Sequence, residues 1–422
     1  MRKGSIPVLL MIVLGLSMSL PMMANEKSIT AFLWKAWTMP PHEPIGDWLE
    51  LVREEFQVRH PDVTVEYMYA NFGADHLIVT IAGGLAPDVA IASIGYALDL
   101  YDQGLLRSLS DYWSKSRVAK YDFFPSAMVF NQRDGRIFGA PWSMESYGII
   151  YNAELFEEAG LNSDPYGIGS WDELVNAAKK LTRRVDDRIT VTGFNVGLST
   201  ATLAGWLYAN GGQFYNQTFD GIGFDDARGH QTLAFLADLH NVQLPLVRGP
   251  GGAQAFLSGQ VAMMGNNLPA AGYLRDAPFR GGQTDFPPGP SGTHRSSVCW
   301  SNMFVIPEAA RNPDLGWAWI ETLLDPDLQA KLIEMHELIS PYRQPYSSRA
   351  AREVVRQRPY LFNTADILAN AGPYPYVRFR EISEVINPML TRMANGQLAP
   401  ESLLSEVTRL VNPILKQASL SR

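Results

Sequence analysis

The chain has 422 residues, of which 46 % are hydrophobic and 18 % charged, and its formal net charge is -8. This length exceeds what one hydrophobic core usually organises, so we expect two domains. No large basic block offsets the acidic balance, which argues against nucleic acid or an anionic membrane surface as a partner.

The N-terminus has the layout of a secretory signal peptide. Arg2 and Lys3 precede an apolar run from 6 to 20, and Ala24 supplies a small residue at the expected cleavage site. The run is shorter than the roughly 20 residues that a membrane-spanning helix needs; an uncleaved anchor is the alternative. Cys299 is the one cysteine in the sequence. The sequence therefore predicts a periplasmic protein with no disulfide and no lipid anchor at the cleavage site.

The first part of the mature chain alternates strand and helix patterns. "SITAFLW", "VTVEYMY" and "APDVAIAS" are typical of strands, and apolar residues repeat at helical spacing between 46 and 60 and in "DHLIVTIAGG". This alternation predicts a parallel sheet with right-handed crossovers, where ligands bind beyond the carboxyl ends of the strands. Candidate ligand contacts at or just after those ends are Trp34, Trp37, Asn71, Asp75, Ser93 and Tyr96. Packing on the first helix is the plainer alternative for the two tryptophans, and helix capping is the alternative for Asn71 and Asp75.

A second run of strands and helices begins near the middle of the chain. "YGIIYN" predicts a strand, and the helix of "SWDELVNAAKKL" begins with Ser170 and Glu173 at capping-box spacing. Helical patterns follow in "LAGWLYANGGQFY" and "FDDARGHQTLAFLADLHN", and a buried strand in "QVAMMGNN". "DFPPGPSG" predicts a loop, because proline and glycine interrupt regular structure. "VCWSNMFVIP" then predicts a strand, followed by a mostly helical tail. Periodicity alone therefore supports two α/β lobes joined by irregular crossings.

The order of these motifs resembles one family: the extracellular solute-binding proteins that deliver sugars to ATP-driven importers, the group that contains maltose-binding protein. The motifs that carry the resemblance cover nearly the whole mature chain, and each is weak alone. They are "FQVRHPDVTVEY", "GGLAPDVAIAS", "YDQGLLRSLSDYW", "GRIFGAPWSMESYGIIYNAELFEEAGL", "SWDELVNAAKKL", "ANGGQF", "FLSGQVAMM", "FPPGPSG", "SNMFVIPEAARNPDLGWAWIETLLDPDLQAKL" and "ISPYRQ".

The resemblance implies the two-lobed type II periplasmic-binding-protein fold, α/β throughout, in which each lobe is a mainly parallel sheet flanked by helices. It implies three crossings between the lobes and hinge closure around a ligand. The implied division is a signal peptide at 1–24, a first lobe at 25–140 and 299–342, and a second lobe at 141–298 and 343–422.

The same resemblance places further candidates at the crossings and in the tail. The crossings near 139–142, 297–301 and 341–344 would bring the following side chains to the cleft: Trp142, Glu145, Tyr147, Trp300, Asn302, Tyr342 and Arg343. Tyr376 in "AGPYPYVRF" lies where relatives often contribute an aromatic. For the cluster at Trp142 the alternative is a packed hinge, and for Arg343 it is a surface arginine.

A sugar site needs flat aromatics for the C–H face and planar polar groups for pairs of hydroxyls. Asn210 is a candidate of the second kind, although Asn before two glycines also suits a helix C-cap. Asn266 and Asn267 follow a predicted strand where many family members carry Gly and then Trp. The sequence "GNNLPAAGYL" has no Trp, so one stacking platform is expected to be replaced by amide hydrogen bonds.

Motifs of enzymes are incomplete or missing. No phosphate-binding loop of the G-x-x-x-x-G-K type is present, and "MHELIS" has Ser340 where a zinc helix needs its second histidine. An exported glycosidase needs two carboxylates roughly 5–10 Å apart, and Glu145 could be one of them. We therefore expect a binding protein with no cofactor and no metal, acting as a monomer with a membrane permease. The open alternatives are a polyamine or peptide receptor, and with less support a glycosidase.

Overall fold

The structure is a computed structural model and describes residues 27–34, 45–71, 75–129, 131–186, 188–243, 251–268, 274–275, 277–336, 340–358, 361 and 363–420. The described strands are β1 Lys27–Trp34, β2 Val63–Ala70, β3 Val89–Ser93, β4 Gln132–Arg133, β5 Arg136–Ile137, β6 Ala140–Asn152, β7 Arg183–Val185, β8 Arg188–Asn195, β9 Val261–Leu268, β10 Gly281–Thr284, β11 Val298–Val305 and β12 Gly372–Pro373. The predicted signal peptide lies outside the described residues.

Helices separate most of these strands, as the alternating sequence pattern predicts. The described helices are α1 Gly46–Arg59, α2 Asp75–Ala82, α3 Ile94–Asp102, α4 Ser110–Lys115, α5 Pro125–Met128, α6 Ala153–Glu158, α7 Trp171–Leu181, α8 Thr200–Ala209, α9 Ala227–Gln243, α10 Gly252–Leu257, α11 Pro313–Leu323, α12 Pro326–His336, α13 Arg349–Gln357, α14 Thr364–Asn370, α15 Phe379–Ala394 and α16 Pro400–Leu420. Short 3₁₀ turns lie at Arg117–Lys120 and Gln344–Ser347.

One sheet runs through the molecule in the order β2-β1-β3-β11-β6-β9-β8-β7, with β10 also paired to β6 and β12 to β11. The strands β1, β2 and β3 are parallel, and so are β8 and β9. In contrast, β11 is antiparallel to both β3 and β6, and β6 is antiparallel to β9. The parallel pairs therefore lie within the two ends of the sheet, and antiparallel strands join those ends.

Two separate hydrophobic cores define the two lobes. In the first lobe α1 and α11 pack together, and Phe56 meets Trp319 edge-to-face with ring centroids 5.5 Å apart. In the second lobe α9 packs against α7, α15 and α16, and α8 packs against α15. Trp206 stacks on Phe286 at 4.2 Å. This is the two-lobed α/β fold that the sequence predicts.

The strands β6 and β11 pass from one core to the other. On β6, Trp142 belongs to the first core and Ile149 to the second; on β11, Phe304 belongs to the first core and Val298 to the second. The change from one core to the other therefore occurs inside two continuous strands. Periodicity could not show this, because β6 is buried on both faces and its burial does not alternate.

Local capping explains where α8 begins. The hydroxyl of Ser199 accepts a hydrogen bond from the backbone N–H of Thr202, and the Thr202 hydroxyl accepts one from the N–H of Ser199 at 2.8 Å. This capping box satisfies two N–H groups that a helix start leaves unpaired. Every residue of α8 is buried, so the helix is held rigidly in the second core.

Candidate ligand-binding cleft

A cavity of about 490 Å³ lies where the two lobes meet, a size within the usual range for small-molecule sites. Its walls come from the start of α3, from the middle of β6 and β11, and from the residues that lead into α15. The lining residues are Ser93, Ile94, Gly95, Tyr96, Asp99, Glu145, Tyr147, Trp300, Asn302, Tyr374, Tyr376, Phe379 and Arg380.

Aromatic rings form one continuous wall of this cavity. The ring centroids of Tyr147 and Trp300 are 5.1 Å apart, those of Trp300 and Tyr374 are 5.4 Å apart, and those of Tyr374 and Phe379 are 4.5 Å apart. These separations are typical of favourable aromatic pairs. Burial raises the pKa of the Tyr147 and Tyr374 hydroxyls, so both keep their protons at neutral pH and can donate hydrogen bonds.

A fixed carboxylate lies beside this wall. The side-chain amide of Asn302 donates to Oε1 of Glu145 at 2.9 Å and to the hydroxyl of Ser143 at 3.3 Å. Asn302 is buried and Glu145 is half-buried, so the bond orients a carboxylate that remains accessible to the cavity. A carboxylate has several lone pairs, and the remaining ones can accept hydrogen bonds from adjacent hydroxyls of a ligand.

A second cavity, of about 430 Å³, adjoins the first and has more charged walls. Tyr96, Asp99, Phe379 and Arg380 line both cavities, so the two form one cleft. Asp99 on α3 is exposed. Partial desolvation of its carboxyl raises its pKa, while the positive charges of Arg378 and Arg380 oppose that shift. Asp99 therefore faces charged groups of the opposite lobe across the cleft.

The structure brings seven of the predicted ligand-binding residues to one cavity. They are Ser93, Tyr96, Glu145, Tyr147, Trp300, Asn302 and Tyr376. Asp75 lines the adjoining charged cavity. These side chains come from both lobes and from positions more than 280 residues apart in sequence, which only the fold brings together.

Two predicted tryptophans lie in the first core instead. Trp34 on β1 and Trp142 on β6 are 1 % and 0 % exposed, and Trp142 stacks on Trp48 at 5.7 Å. The structure thus corrects the expectation that Trp142 faces the cleft. Trp142 is the residue that β6 leaves unpaired where its register with β11 shifts, and its ring packs into the first core.

Three more predicted residues have structural partners away from the cavity. Asn210 ends α8 and is fully buried, with its amide and carbonyl bonded within the second lobe. Tyr342 is fully buried and donates its hydroxyl proton to the carbonyl of Leu324. Arg343 pairs with the Asp122 carboxylate at 2.9 Å, on the surface. Asn210 and Tyr342 are therefore buried packing residues, and Arg343 is a surface residue.

Asn71 and Asn266 are not among the residues that line the cavity. Asn71 is exposed at the end of β2, and Asn266 lies on β9 opposite Gly148 of β6. Asn267 pairs with Tyr147 through the sheet, but its side chain lies outside the described part of the structure. Trp37 also lies outside the described residues.

Sequence analysis missed Asp99, Phe379 and Arg380 as cleft residues. Asp99 lies inside a helix, where a charged residue is usually solvated, and Phe379 and Arg380 begin a helix in a tail with no strand-end signal. Arg378, just before them, has a positive φ of 49°, which no sequence pattern predicts. A tail segment rich in Pro and Tyr was the one available hint.

Other kinds of site find no support among the described residues. No group of three or more His, Cys, Asp or Glu side chains is arranged to hold a metal ion in that part of the chain. Cys299 is fully buried, and burial raises the pKa of its thiol to about 12, so it remains an unreactive thiol. Within the same residues, no helix combines the length and the apolarity that a membrane span requires.

Comparison with known proteins shows the family to which the chain belongs. The family described as bacterial extracellular solute-binding protein matches residues 42–330, which is more than half of the chain. The chain belongs to this family.

Relatives of this solute-binding protein span most of its length. A binding protein of Brucella abortus is 22 % identical over 398 residues, covering 88 % of this chain and 90 % of that protein. The maltooligosaccharide ABC transporter solute-binding lipoprotein of Streptococcus pneumoniae is 23 % identical over 378 residues, covering 84 % and 82 %. The GacH receptor of Streptomyces glaucescens superposes with a TM-score of 0.75 at 21 % identity, covering 93 % and 99 %. The last of these supports the fold.

Proposed function

We propose that this protein is the substrate-binding component of an ABC sugar importer and that it holds a carbohydrate in the cavity between its lobes. The observation that carries the proposal is that one cavity combines an aromatic wall with an oriented carboxylate. The central rings of the wall are Tyr147, Trp300 and Tyr374, and the carboxylate is Glu145, held by Asn302.

Each part of that arrangement matches one part of a sugar. The apolar C–H face of a pyranose ring stacks on flat aromatic surfaces, which bury a large area in a defined geometry. Its hydroxyls are satisfied by planar polar groups, and a wrong sugar leaves such groups unpaired at about 1–3 kcal/mol each. The names of two similar proteins point the same way: one is a maltooligosaccharide receptor, and the GacH receptor has been solved with acarbose.

The mechanism follows from where the walls originate. Tyr96 and Asp99 belong to the first lobe, whereas Tyr374 and Phe379 lie on the segment that enters the second lobe. A ligand that touches both sets gains contacts when the cleft narrows, so it favours the closed form by its differential affinity. A membrane permease would recognise that closed form and accept the carbohydrate.

Location and assembly belong to the same proposal. We place the mature chain in the periplasm after cleavage of the signal peptide, without a lipid anchor, because the one cysteine is the buried Cys299. The pneumococcal relative is named a lipoprotein, so this chain would differ from it in its anchoring. We further propose that the chain acts as a monomer, binds no nucleic acid and catalyses no reaction.

One observation favours a second candidate ligand. Asp99 and Glu145 line a cavity whose other walls are largely aromatic, and acids boxed by aromatic rings also suit a cationic solute such as a polyamine. Arg380 in the same lining opposes a cationic ligand, because it adds a positive charge to the cavity. The neutral carbohydrate therefore remains the preferred ligand.

The test is thermal unfolding of the mature chain, from Asn25 onward, with maltotriose, mannobiose, tagatose, a sugar alcohol, spermidine and a peptide mixture. A ligand at roughly 1,000 times its Kd adds about 4 kcal/mol to the folded state, which shifts the Tm by several degrees. The protein is first unfolded and refolded to remove co-purified ligand.

Each outcome has a defined meaning. A shift with carbohydrate alone, and recovery of that carbohydrate unchanged, supports the receptor. Recovery of shortened sugars would point to a glycosidase instead, because Glu145 and Asp99 offer two carboxylates in one cavity. A shift with spermidine or peptide alone would overturn the carbohydrate assignment and leave the fold unaffected.

A further inference from the structure

One short stretch of chain carries several of the cleft residues. We call residues 372–380 the cleft segment; it contains Tyr374, Tyr376, Phe379 and Arg380. Tyr374 and Tyr376 pack against the cores of both lobes, so this segment bridges the two lobes beside the cavity. Small displacements of its backbone would therefore move several ligand contacts together.

The start of the cleft segment is attached to β11. The backbone N–H of Gly372 donates to the carbonyl of Ser297 at 2.9 Å, and that of Tyr374 donates to the carbonyl of Cys299 at 3.0 Å. These bonds form the short pairing of β12 with β11. The rest of the segment has irregular backbone up to α15, where Arg378 adopts a left-handed conformation with a φ of 49°. A non-glycine residue persists there only when its surroundings hold it.

Two buried tyrosines of the second lobe hold this irregular part. The hydroxyl of Tyr208 donates to the carbonyl of Pro373 at 2.6 Å, and the hydroxyl of Tyr215 donates to the carbonyl of Val377 at 3.1 Å. Tyr208 is 8 % exposed and Tyr215 is 9 % exposed. Burial raises the pKa of both hydroxyls, so each remains a proton donor at any physiological pH.

The two bonds lie on either side of the ligand-facing rings. Tyr374 directly follows the carbonyl that Tyr208 holds, and Tyr376 directly precedes the carbonyl that Tyr215 holds. Close packing adds to the attachment, because a Cβ at Gly372 would come within 2.4 Å of the Tyr208 ring. Tyr208 itself lies near the end of the rigid helix α8.

We propose that Tyr208 and Tyr215 are positioning residues for ligand binding. Neither lines the cavity; each acts through the cleft segment, by fixing the carbonyls that flank Tyr374 and Tyr376. The inference rests on the proposed carbohydrate function and extends it to residues of the second core. Tight binding needs a preorganised wall, since a wall that must first be ordered reduces affinity.

The variants are Tyr208→Phe and Tyr215→Phe, each of which removes one hydroxyl and keeps the ring. Tyr151→Phe is a matched control, because Tyr151 is a buried tyrosine of the same core whose hydroxyl donates to the carbonyl of Ser163 at 2.9 Å, away from the cleft. All three variants lose one buried hydrogen bond, so we expect similar small losses of Tm. Gly372→Ala is a further variant, which forces the segment and the Tyr208 ring apart while keeping both hydroxyl groups, so we expect it to weaken binding as Tyr208→Phe does.

Two readouts separate positioning from general stability. Calorimetric titration uses whichever of maltotriose, mannobiose and tagatose stabilises the wild-type chain most. We expect the Kd to rise about tenfold for Tyr208→Phe and Tyr215→Phe and less than twofold for Tyr151→Phe. Hydrogen exchange on the ligand-free chain should show faster exchange in a peptide spanning 372–382 for the first two variants alone.

The outcomes distinguish this proposal from the one it rests on. If the wild-type chain binds a carbohydrate and all three Phe variants bind it alike, the positioning role is overturned and the carbohydrate function stands. Unchanged exchange in 372–382 would overturn it equally. If the wild-type chain binds no carbohydrate, the proposed function fails, and the positioning role in carbohydrate binding fails with it.

Discussion

The side-chain amide of Asn302 donates to Oε1 of Glu145 at 2.9 Å, between the two strands that join the lobes. On the paired strands Asn302 lies opposite Ser143 and Glu145 lies opposite Trp300, so the bond is a diagonal contact on one face of the sheet. The same strand pairing places the carboxylate opposite Trp300 of the aromatic wall. The two strands that connect the lobes, β6 and β11, therefore also carry several of the cavity-lining residues.

Removing the donor should weaken ligand binding. In Asn302→Ala, Glu145 loses its fixed partner, and we expect the Kd for the bound carbohydrate to rise about tenfold, the scale of a hydrogen bond to a charged group. Ser143→Ala is the control, since it removes only the longer 3.3 Å contact and leaves the Glu145 bond in place. Isothermal titration of both variants checks this, and equal affinities would contradict the role given to the bond.

The aromatic wall should contribute more than any single polar group. Trp300 is the middle ring, between Tyr147 and Tyr374, so Trp300→Ala removes a stacking surface and loosens both neighbours. We expect a 10- to 100-fold rise in Kd, which corresponds to about 1.4–2.8 kcal/mol. Tyr69→Ala, at an exposed ring on β2, controls for aromatic truncation in general. A Kd within about threefold of wild type in Trp300→Ala would show that the ligand does not stack there.

Much of the fold could be predicted from the sequence, because strands and helices leave periodic patterns. The helix start at Ser170 is an example: its hydroxyl accepts the backbone N–H of Glu173, as the spacing predicts. The capping box is only half formed, however, since the Glu173 carboxylate accepts from Gly169 rather than from Ser170. Local spacing thus predicts which residue begins a helix better than it predicts the partners.

The cleft was harder to predict, because side-chain direction depends on register and on the opposite lobe. Trp142 and Glu145 lie three residues apart on one strand, yet one is buried in a core and the other faces the cavity. The sequence motif places both residues at a predicted crossing between the lobes but does not show the direction of either side chain. Asp99 could not be found at all, because its place in the cleft depends on packing between α3 and the distant start of α15.

Asn210 illustrates the opposite case, a predicted ligand residue that we now expect to act on stability. Its amide donates to the carbonyl of Arg228 at 3.1 Å, and its carbonyl accepts from the backbone N–H of Ser291 at 3.0 Å. In Asn210→Ala these buried groups lose their partners, and we expect a loss of about 2–3 kcal/mol in the free energy of unfolding. Chemical denaturation measures that loss. The Kd for carbohydrate should remain within about twofold of the wild-type value, and a larger change would show that Asn210 contributes to ligand binding.

Asp99 should show a trade-off between stability and binding. Partial desolvation of its carboxyl raises its pKa above the ordinary value of 3.8, with Asp102 and Glu381 adding to the shift and Arg378 and Arg380 opposing it. The folded state therefore holds this proton more tightly than the unfolded state. It follows that the free energy of unfolding falls as the pH rises from 3.8 through the raised pKa, and stays lower above it.

Asp99→Asn cannot ionise, so it lacks that fall. We expect the ligand-free variant to be slightly more stable than wild type at pH 7, with the difference vanishing below pH 3.8; because Asp99 is exposed, solvent screening keeps the difference small. Its affinity for carbohydrate should drop, because a charged acceptor at the junction of the two cavities is lost. Asp238→Asn is the control, since Asp238 is an exposed carboxylate on α9 that lines neither cavity. Denaturation curves at pH 3.5, 5 and 7 decide the matter: a stability difference that is constant with pH would show that Asp99 ionises as freely in the folded protein as in the unfolded chain.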